Sequence, residues 1–281
     1  MDAYATSLPE QLPPVRRVPV DAHVNFHVRE HVAGTLDAAI SNFGTVEVAS
    51  GREGPGVLLL AQSAGEQVFE WMRKQAQVGT WSVSPAECEA QSLWLRGPRG
   101  ELVVVCGRQV IAESGLEVLA LGTIDHFEDG LGLQRTLAAV QASAALAVLP
   151  WGFGKWTGLR ARRIREQLQS PAVADLWVGD NGGRLQNFPR PRLLVEAEAQ
   201  GIGVLPGTDP FPFGKDYRRV GSFGFVVEVA LDPARPWQSI RAALAGGRRS
   251  PPAFGRGEGW LGFLFKQTWI QIDKRLRRRS A

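Results

Sequence analysis

Short apolar runs alternate along the chain with stretches whose apolar residues recur every three or four positions, the two rhythms of strand and helix. Residues 18–23 read as a first strand, and Leu36, Ile40 and Phe43, in a segment that stops at Gly44, read as the buried stripe of a first helix. Residues 57–61 are apolar throughout, as in a strand covered on both faces, and residues 66–77 follow with a helical alternation. Residues 80–124 differ. There, residues 92–95 and 101–105 flank the turn Gly97-Pro98-Arg99-Gly100, and two further strands at 108–112 and 116–121 surround Ser114-Gly115.

From residue 125 onward the alternation returns. A helix over 131–142, with Asp129 placed to cap it, is followed by strands at 144–149, 175–178 and 203–205, helices at 159–168 and 191–200, a strand at 223–229 and a helix at 236–244. Gly, Pro, aromatic and charged residues crowd the loops after these strands. Strand-helix alternation with such loops predicts an α/β protein of the distorted (β/α) TIM-type barrel class, carrying its site on the loops and a small antiparallel insert on its side. A doubly wound open sheet gives the same alternation and stands as the alternative, although its first turn would normally be glycine-rich where this one carries histidines. The division expected is an N-terminal arm over 1–17, a barrel over 18–247, and a C-terminal aromatic and basic segment over 248–281.

Composition narrows the picture little. Of the 281 residues, 44% are hydrophobic and 21% charged, the mix of a soluble globular protein with room for a sizeable core. The net charge of +4 is more than accounted for by Arg16, Arg17 and the run Lys274-Arg275-Leu276-Arg277-Arg278-Arg279, so a body near neutrality does not favour nucleic acid as a partner. Two cysteines, with neither zinc-site spacing nor the number of a disulfide framework, fit a reducing compartment. No signal peptide or membrane-length apolar window is seen, and a cytoplasmic location is expected.

The chemistry-bearing residues gather at strand ends. Asp21-Ala22-His23-Val24-Asn25-Phe26-His27 places a carboxylate and imidazoles just after the first strand, the side chains that bind borderline divalent ions. Asp21, His23, His27 and Asp209 are the candidate metal ligands, enough to hold one Zn, Mn or Fe ion and acidify a bound water. Equally, Asp21 and His23 would be hydrogen-bonded residues of the sheet's end with no metal at all. His23, Asp209 and Lys155 are the candidate catalytic groups. Trp151, Trp156, Asp180, Asn181 and Arg184 are the candidate binding groups, with Lys155 and Arg184 clamping an anion, the tryptophans stacking on a ring and the carboxylates and amides meeting sugar hydroxyls. A further cluster, Asp125, His126, Glu128 and Asp129, is explained more simply by helix capping. The aromatic and basic tail from Trp260 to Arg279 would pack on the barrel or touch an anionic membrane surface weakly.

The Asp21-Ala22-His23-Val24-Asn25 opening and the Gly207-Thr208-Asp209-Pro210-Phe211 closing together resemble the PHP (polymerase and histidinol phosphatase) family over roughly residues 18–245. The resemblance implies a distorted barrel with a metal cluster, with Asp21, His23 and Asp209 matching ligand positions; the wider metal-dependent amidohydrolase barrels are second choice. It also marks departures. Asn25, Gln109, Leu149 and Phe211 stand where the family carries histidine, glutamate, histidine and histidine. Two functions follow: a metal-dependent hydrolase of the phosphoesterase kind acting on a small phosphorylated or acidic molecule, or a PHP-like barrel that has lost that chemistry and binds a ligand or partner.

Overall fold

The structure is a computed structural model, and it describes residues 13–46, 54–152, 154–170, 175–183, 188–247, 250–255 and 257. The strands are β1 (Val15–Val24), β2 (Gly56–Leu60), β3 (Gln77–Val78), β4 (Trp81–Pro85), β5 (Ser92–Gly97), β6 (Gly100–Val105), β7 (Gly107–Ile111), β8 (Glu117–Leu121), β9 (Leu146–Trp151), β10 (Leu176–Asp180), β11 (Val204–Pro206), β12 (Phe223–Ala230) and β13 (Ala253–Gly255). The α-helices are α1 (Val32–Gly44), α2 (Val68–Arg73), α3 (Leu133–Ala142), α4 (Gly158–Leu168), α5 (Arg192–Ala199) and α6 (Pro236–Gly247). Short 3-10 helices cover Arg29–His31 and Asp216–Arg219.

The strands form two open mixed sheets, one of eight strands in the order β13-β12-β1-β2-β6-β5-β4-β3 and one of five in the order β11-β10-β9-β8-β7. A closed barrel was expected, and no closed barrel is formed by the described residues. The sheets are mixed in direction: β12 runs antiparallel to β1, and β8 runs antiparallel to both β7 and β9. The sheets meet instead through isolated contacts, a bridge between Gln62 and Arg108 and a hydrogen bond from the Asp209 N–H to the His23 carbonyl at 2.8 Å.

Burial follows the pleat. Val18, Val20 and Ala22 of β1 and Val57 and Leu59 of β2 face a core shared with Leu119, Leu121, Val148, Trp177 and Phe225, which α6 closes with Trp237 and Ile240. The alternate residues Leu58 and Leu60 face Leu36, Ile40 and Phe43 of α1 and Phe69 and Met72 of α2, which is why the β2 run is apolar at every position. The outer face of the five-stranded sheet is covered by Leu137 and Val140 of α3, Ile164 of α4 and Leu194 of α5. α6 is started from a distance: the buried Glu89 accepts the Trp237 N–H at 2.7 Å and the Gln238 N–H at 3.2 Å, and Ser92 donates to the same carboxylate. A carboxylate at a helix start satisfies free N–H groups and complements the dipole.

Several expected boundaries move. β1 begins at Val15, inside the expected arm, because it pairs with β12 as far as Val15–Ala230. α2 is shorter than expected and yields to β3, while β4 and β13 were not foreseen. The expected insert is not one unit: β3 to β6 extend the larger sheet, with β6 parallel to β2, while β7 and β8 belong to the smaller sheet. Asp129 does not cap α3; its Oδ1 accepts the Ile111 N–H at 2.8 Å, and Gly132 holds the cap position. Residues 258–281, and with them the expected tail contacts, lie outside the described residues. Among the described residues no helix is long and apolar enough to cross a membrane.

Candidate functional site

The ends of β1, β9, β10 and β11 and the start of β8 open on the same side, since β8 runs opposite to its parallel neighbours. Gly207 lets β11 approach β1 there, because a Cβ at this position would run into the backbone nitrogen and Cβ of His23. The approach brings Thr208 onto Asp21. Asp21 is fully buried and accepts hydrogen bonds from the Thr208 hydroxyl at 2.6 Å, the Thr208 N–H at 2.8 Å, the Gly221 N–H at 2.9 Å and the His23 N–H at 3.3 Å. Gly221 reaches it with φ +79, a conformation that favours glycine. Burial pushes the Asp21 carboxyl upward against these four bonds. Both of its oxygens are engaged by the chain.

His23 and Asp209 do come together. His23 Nε2 lies 3.4 Å from Asp209 Oδ1, with both side chains largely buried. Asp209 adopts φ 44, which asparagine and aspartate tolerate better than other side-chain-bearing residues, and its Oδ2 accepts from Asn181 Nδ2 at 3.0 Å. Asn25 Nδ2 approaches Oδ1 at 3.5 Å. Burial alone would raise Asp209, but the charges of His23 and Lys155, the Asn181 hydrogen bond and the charge of Arg219 outweigh it and hold the carboxyl at about 2. Two buried polar atoms beside this carboxylate, His23 Nε2 and Asn25 Oδ1, have no hydrogen-bond partner among the described residues. Such orphaned atoms are costly where nothing meets them.

His27 was expected to face the same point. β1 ends at Val24, so the strand alternation that would have aligned His27 with His23 stops short of it. Its Nδ1 instead meets Glu66 Oε1 at 3.2 Å and its Nε2 meets the Pro210 carbonyl at 2.8 Å. Both partners are acceptors, so both ring nitrogens donate. Burial lowers His27, but the Glu66 and Pro210 bonds and the charges of Glu66 and Asp209 raise it overall. Behind it, the buried Arg108 donates to the Glu66 carbonyl at 3.2 Å and the Asp125 carbonyl at 3.3 Å and pairs with Glu70.

The expected anion clamp is differently arranged. Lys155 Nζ is held by both oxygens of Glu117, at 2.8 and 2.7 Å, where β8 opens beside the β9 loop. Burial lowers Lys155, but Glu117 and Asp209 raise it above its ordinary value. Arg184 lies outside the described residues. Trp156, expected on the surface as a stacking platform, is only 8% exposed and belongs to the core beneath α3 to α5, because a loop that packs on apolar neighbours buries a large ring. Trp151 is half-buried against the same core. Asp180 accepts the Gly182 N–H at 3.1 Å, and Asn181 accepts the Gly183 N–H at 3.0 Å through its Oδ1. The partners Thr208, Gly221, Glu66 and Glu117 had not been singled out by sequence.

The expected metal ion is implied by Asp21, His23, His27 and Asp209. As placed, these residues do not fit a cluster: Asp21 and His27 have their ligand atoms occupied, and among the described residues no three His, Cys, Asp or Glu side chains are grouped to hold a metal.

Fold and site together define a mixed α/β protein with a polar, internally charge-compensated cluster at the open ends of its strands. Comparison with solved structures bears on the fold alone. The chain is similar to PsfC from Pseudomonas syringae PB-5123, at TM-score 0.51 and 12% identity, with 76% of this chain and 82% of that one covered. It is also similar to the lesion-specific endonuclease PfuEndoQ from Pyrococcus furiosus, at TM-score 0.51 and 12% identity, with 82% of this chain and 56% of that one covered. The likeness is distant and is one of fold, and this chain spans little more than half of PfuEndoQ. No family model and no curated protein matches the sequence.

Proposed function

We propose that the chain is a ligand-binding domain built on a hydrolase-like, PHP-like fold, taking a small hydroxyl-bearing molecule at its mouth in place of multinuclear metal chemistry. The observation that carries this reading is the engagement of Asp21 and His27, which leaves the His23–Asp209 pair without the ligands a cluster needs. Asp209 already has the cations Lys155 and Arg219 near it, so its charge does not require a metal cation. His23 Nε2 and Asn25 Oδ1 supply buried polar sites for a ligand's hydroxyls, next to the acceptor Asp209. The fold likeness to an endonuclease and the PHP-like motifs at Asp21, His23 and Asp209 support descent from a hydrolase fold.

Calorimetry and thermal melting against sugars, polyols and nucleosides test this. A binding ligand should raise the melting temperature of the native protein and lose its effect in Asn25→Ala and Asp209→Asn. If no member of that panel binds, and generic phosphoesters are hydrolysed with an added divalent ion, the reading is wrong.

A second reading is favoured by the same two orphaned atoms. His23 Nε2, Asn25 Oδ1 and Asp209 Oδ1 are three electron-pair donors in one place, and they would hold a single Zn, Mn or Fe ion able to acidify water for hydrolysis. An amide oxygen in place of an imidazole makes this a weak site. Its readout is independent of activity: metal content of the purified chain, and its loss in His23→Ala.

A further inference from the structure

Beside the mouth, rings and cations follow one another across three short helices, α2 and the two 3-10 helices. Arg29 lies over Trp71 at 5.9 Å, His31 at the other end of the same 3-10 helix stacks on Tyr217 at 4.9 Å and 26°, and Arg218 lies 5.9 Å from the Tyr217 ring. Arg29, His31, Arg218 and Lys215 are exposed, and Trp71 and Tyr217 are half-buried, so each aromatic residue remains partly open to solvent. At the Trp71 end the exposed Arg73 and Lys74 add positive charge. The neighbouring acids are mostly engaged within the fold: Asp216 accepts the Phe211 N–H at 2.7 Å, Glu66 meets His27, and Glu70 meets Arg108, leaving Glu30 as the exposed acid on Arg29–His31. His31 and Tyr217 also line a narrow cleft with Asn25 and His27, so the strip reaches the mouth itself.

We propose that this Trp71–Arg29–His31–Tyr217–Arg218 strip binds single-stranded nucleic acid, its rings stacking on bases and its cations meeting phosphates. Sequence-tolerant binding of single strands is built from this combination, an aromatic platform interleaved with arginine and lysine. An acidic peptide would use the cations but leave the rings without planar partners. Whole-chain charge does not reveal the strip, because the charge is local. The proposal stands apart from the reading of the mouth as a small-ligand site and does not depend on whether a metal binds there.

Fluorescence anisotropy of a labelled oligothymidylate of about 20 nucleotides with the full chain tests it. Binding at about 50 mM salt should weaken steeply by about 200 mM. Tyr217→Ala should weaken it about tenfold, in line with the loss of one stacking contact. The double variant Arg29→Glu and Arg218→Glu, at exposed positions, should weaken it at least tenfold and keeps the test standing should Tyr217→Ala fail to fold. Because Lys274 to Arg279 form a rival basic run, a third variant neutralises those residues. The proposal is overturned by absence of binding at low salt, by binding that survives both strip variants and disappears with the tail charges, or by polyglutamate displacing the oligonucleotide as well as unlabelled oligonucleotide does.

Discussion

Asp21 is fully buried and accepts three backbone N–H groups and a hydroxyl, so its replacement leaves several buried donors unpaired at once. Asp21→Ala should lower stability by about 3 kcal/mol or more, seen as a melting temperature lower by several degrees, with or without divalent ions. Had Asp21 been a metal ligand first, its loss would be felt chiefly when metal is present. Asp209 and His27 give opposite pH signatures. The Asp209 carboxyl is depressed to about 2, so its contribution is complete above its unfolded value near 3.8 and is lost as pH falls toward 2. Asp209→Asn should therefore cost stability at pH 5 and little at pH 2. His27 is raised, so its contribution is complete below the unfolded value of 6.5 and is lost as pH rises through the higher folded value. His27→Ala should cost more at pH 5.5 than in alkaline buffer, as read from urea midpoints. At this scale the sequence showed that Asp21, His23, Asn181 and Asp209 share the open ends of the strands, since a strand end is a local property. It did not show that Thr208 and Gly221 would occupy Asp21, because those partners lie 187 and 200 positions away and follow no period.

Among the elements, the legible ones were those whose pattern is sustained. β2, β6, β9 and β12 are apolar because both faces are buried, and α1 shows its stripe because only one face is. β4 was not legible: Trp81-Ser82-Val83-Ser84-Pro85 is half-polar and ends in proline, and its structure comes from pairing with β5. β13 was not legible either: Pro251-Pro252 precede it, and the strand exists only by addition to the edge of β12. The start of α6 was legible, but its cap was not, for Glu89 reaches Trp237 across 148 positions. Glu89→Ala should cost about 2 kcal/mol by stranding the first N–H groups of α6, and Glu89→Gln should recover part of it, since one acceptor oxygen remains. A melting series of the two variants checks this.

For the whole molecule, strand and helix alternation correctly indicated an α/β protein but not how the strands close. Apolar runs carry no mark of direction, so the antiparallel return of β12 on β1 and of β8 on β9 was not legible, nor was the division into two sheets. The same geometry places Glu117, at the start of β8, beside Lys155 at the end of β9, turning an expected anion clamp into an ion pair. In the proposed reading the strand-end site persists while the chain's own groups engage Asp21 and His27, leaving no metal cluster there. The most direct test of that reading is isothermal titration of the untagged, full chain with Mn and Zn, paired with elemental analysis of the same preparation. No stoichiometric ion and no difference between the native chain and His23→Ala are expected; one ion lost in His23→Ala would replace the ligand-binding reading with the mononuclear site, and two or more ions lost in His23→Ala and Asp21→Asn would overturn both.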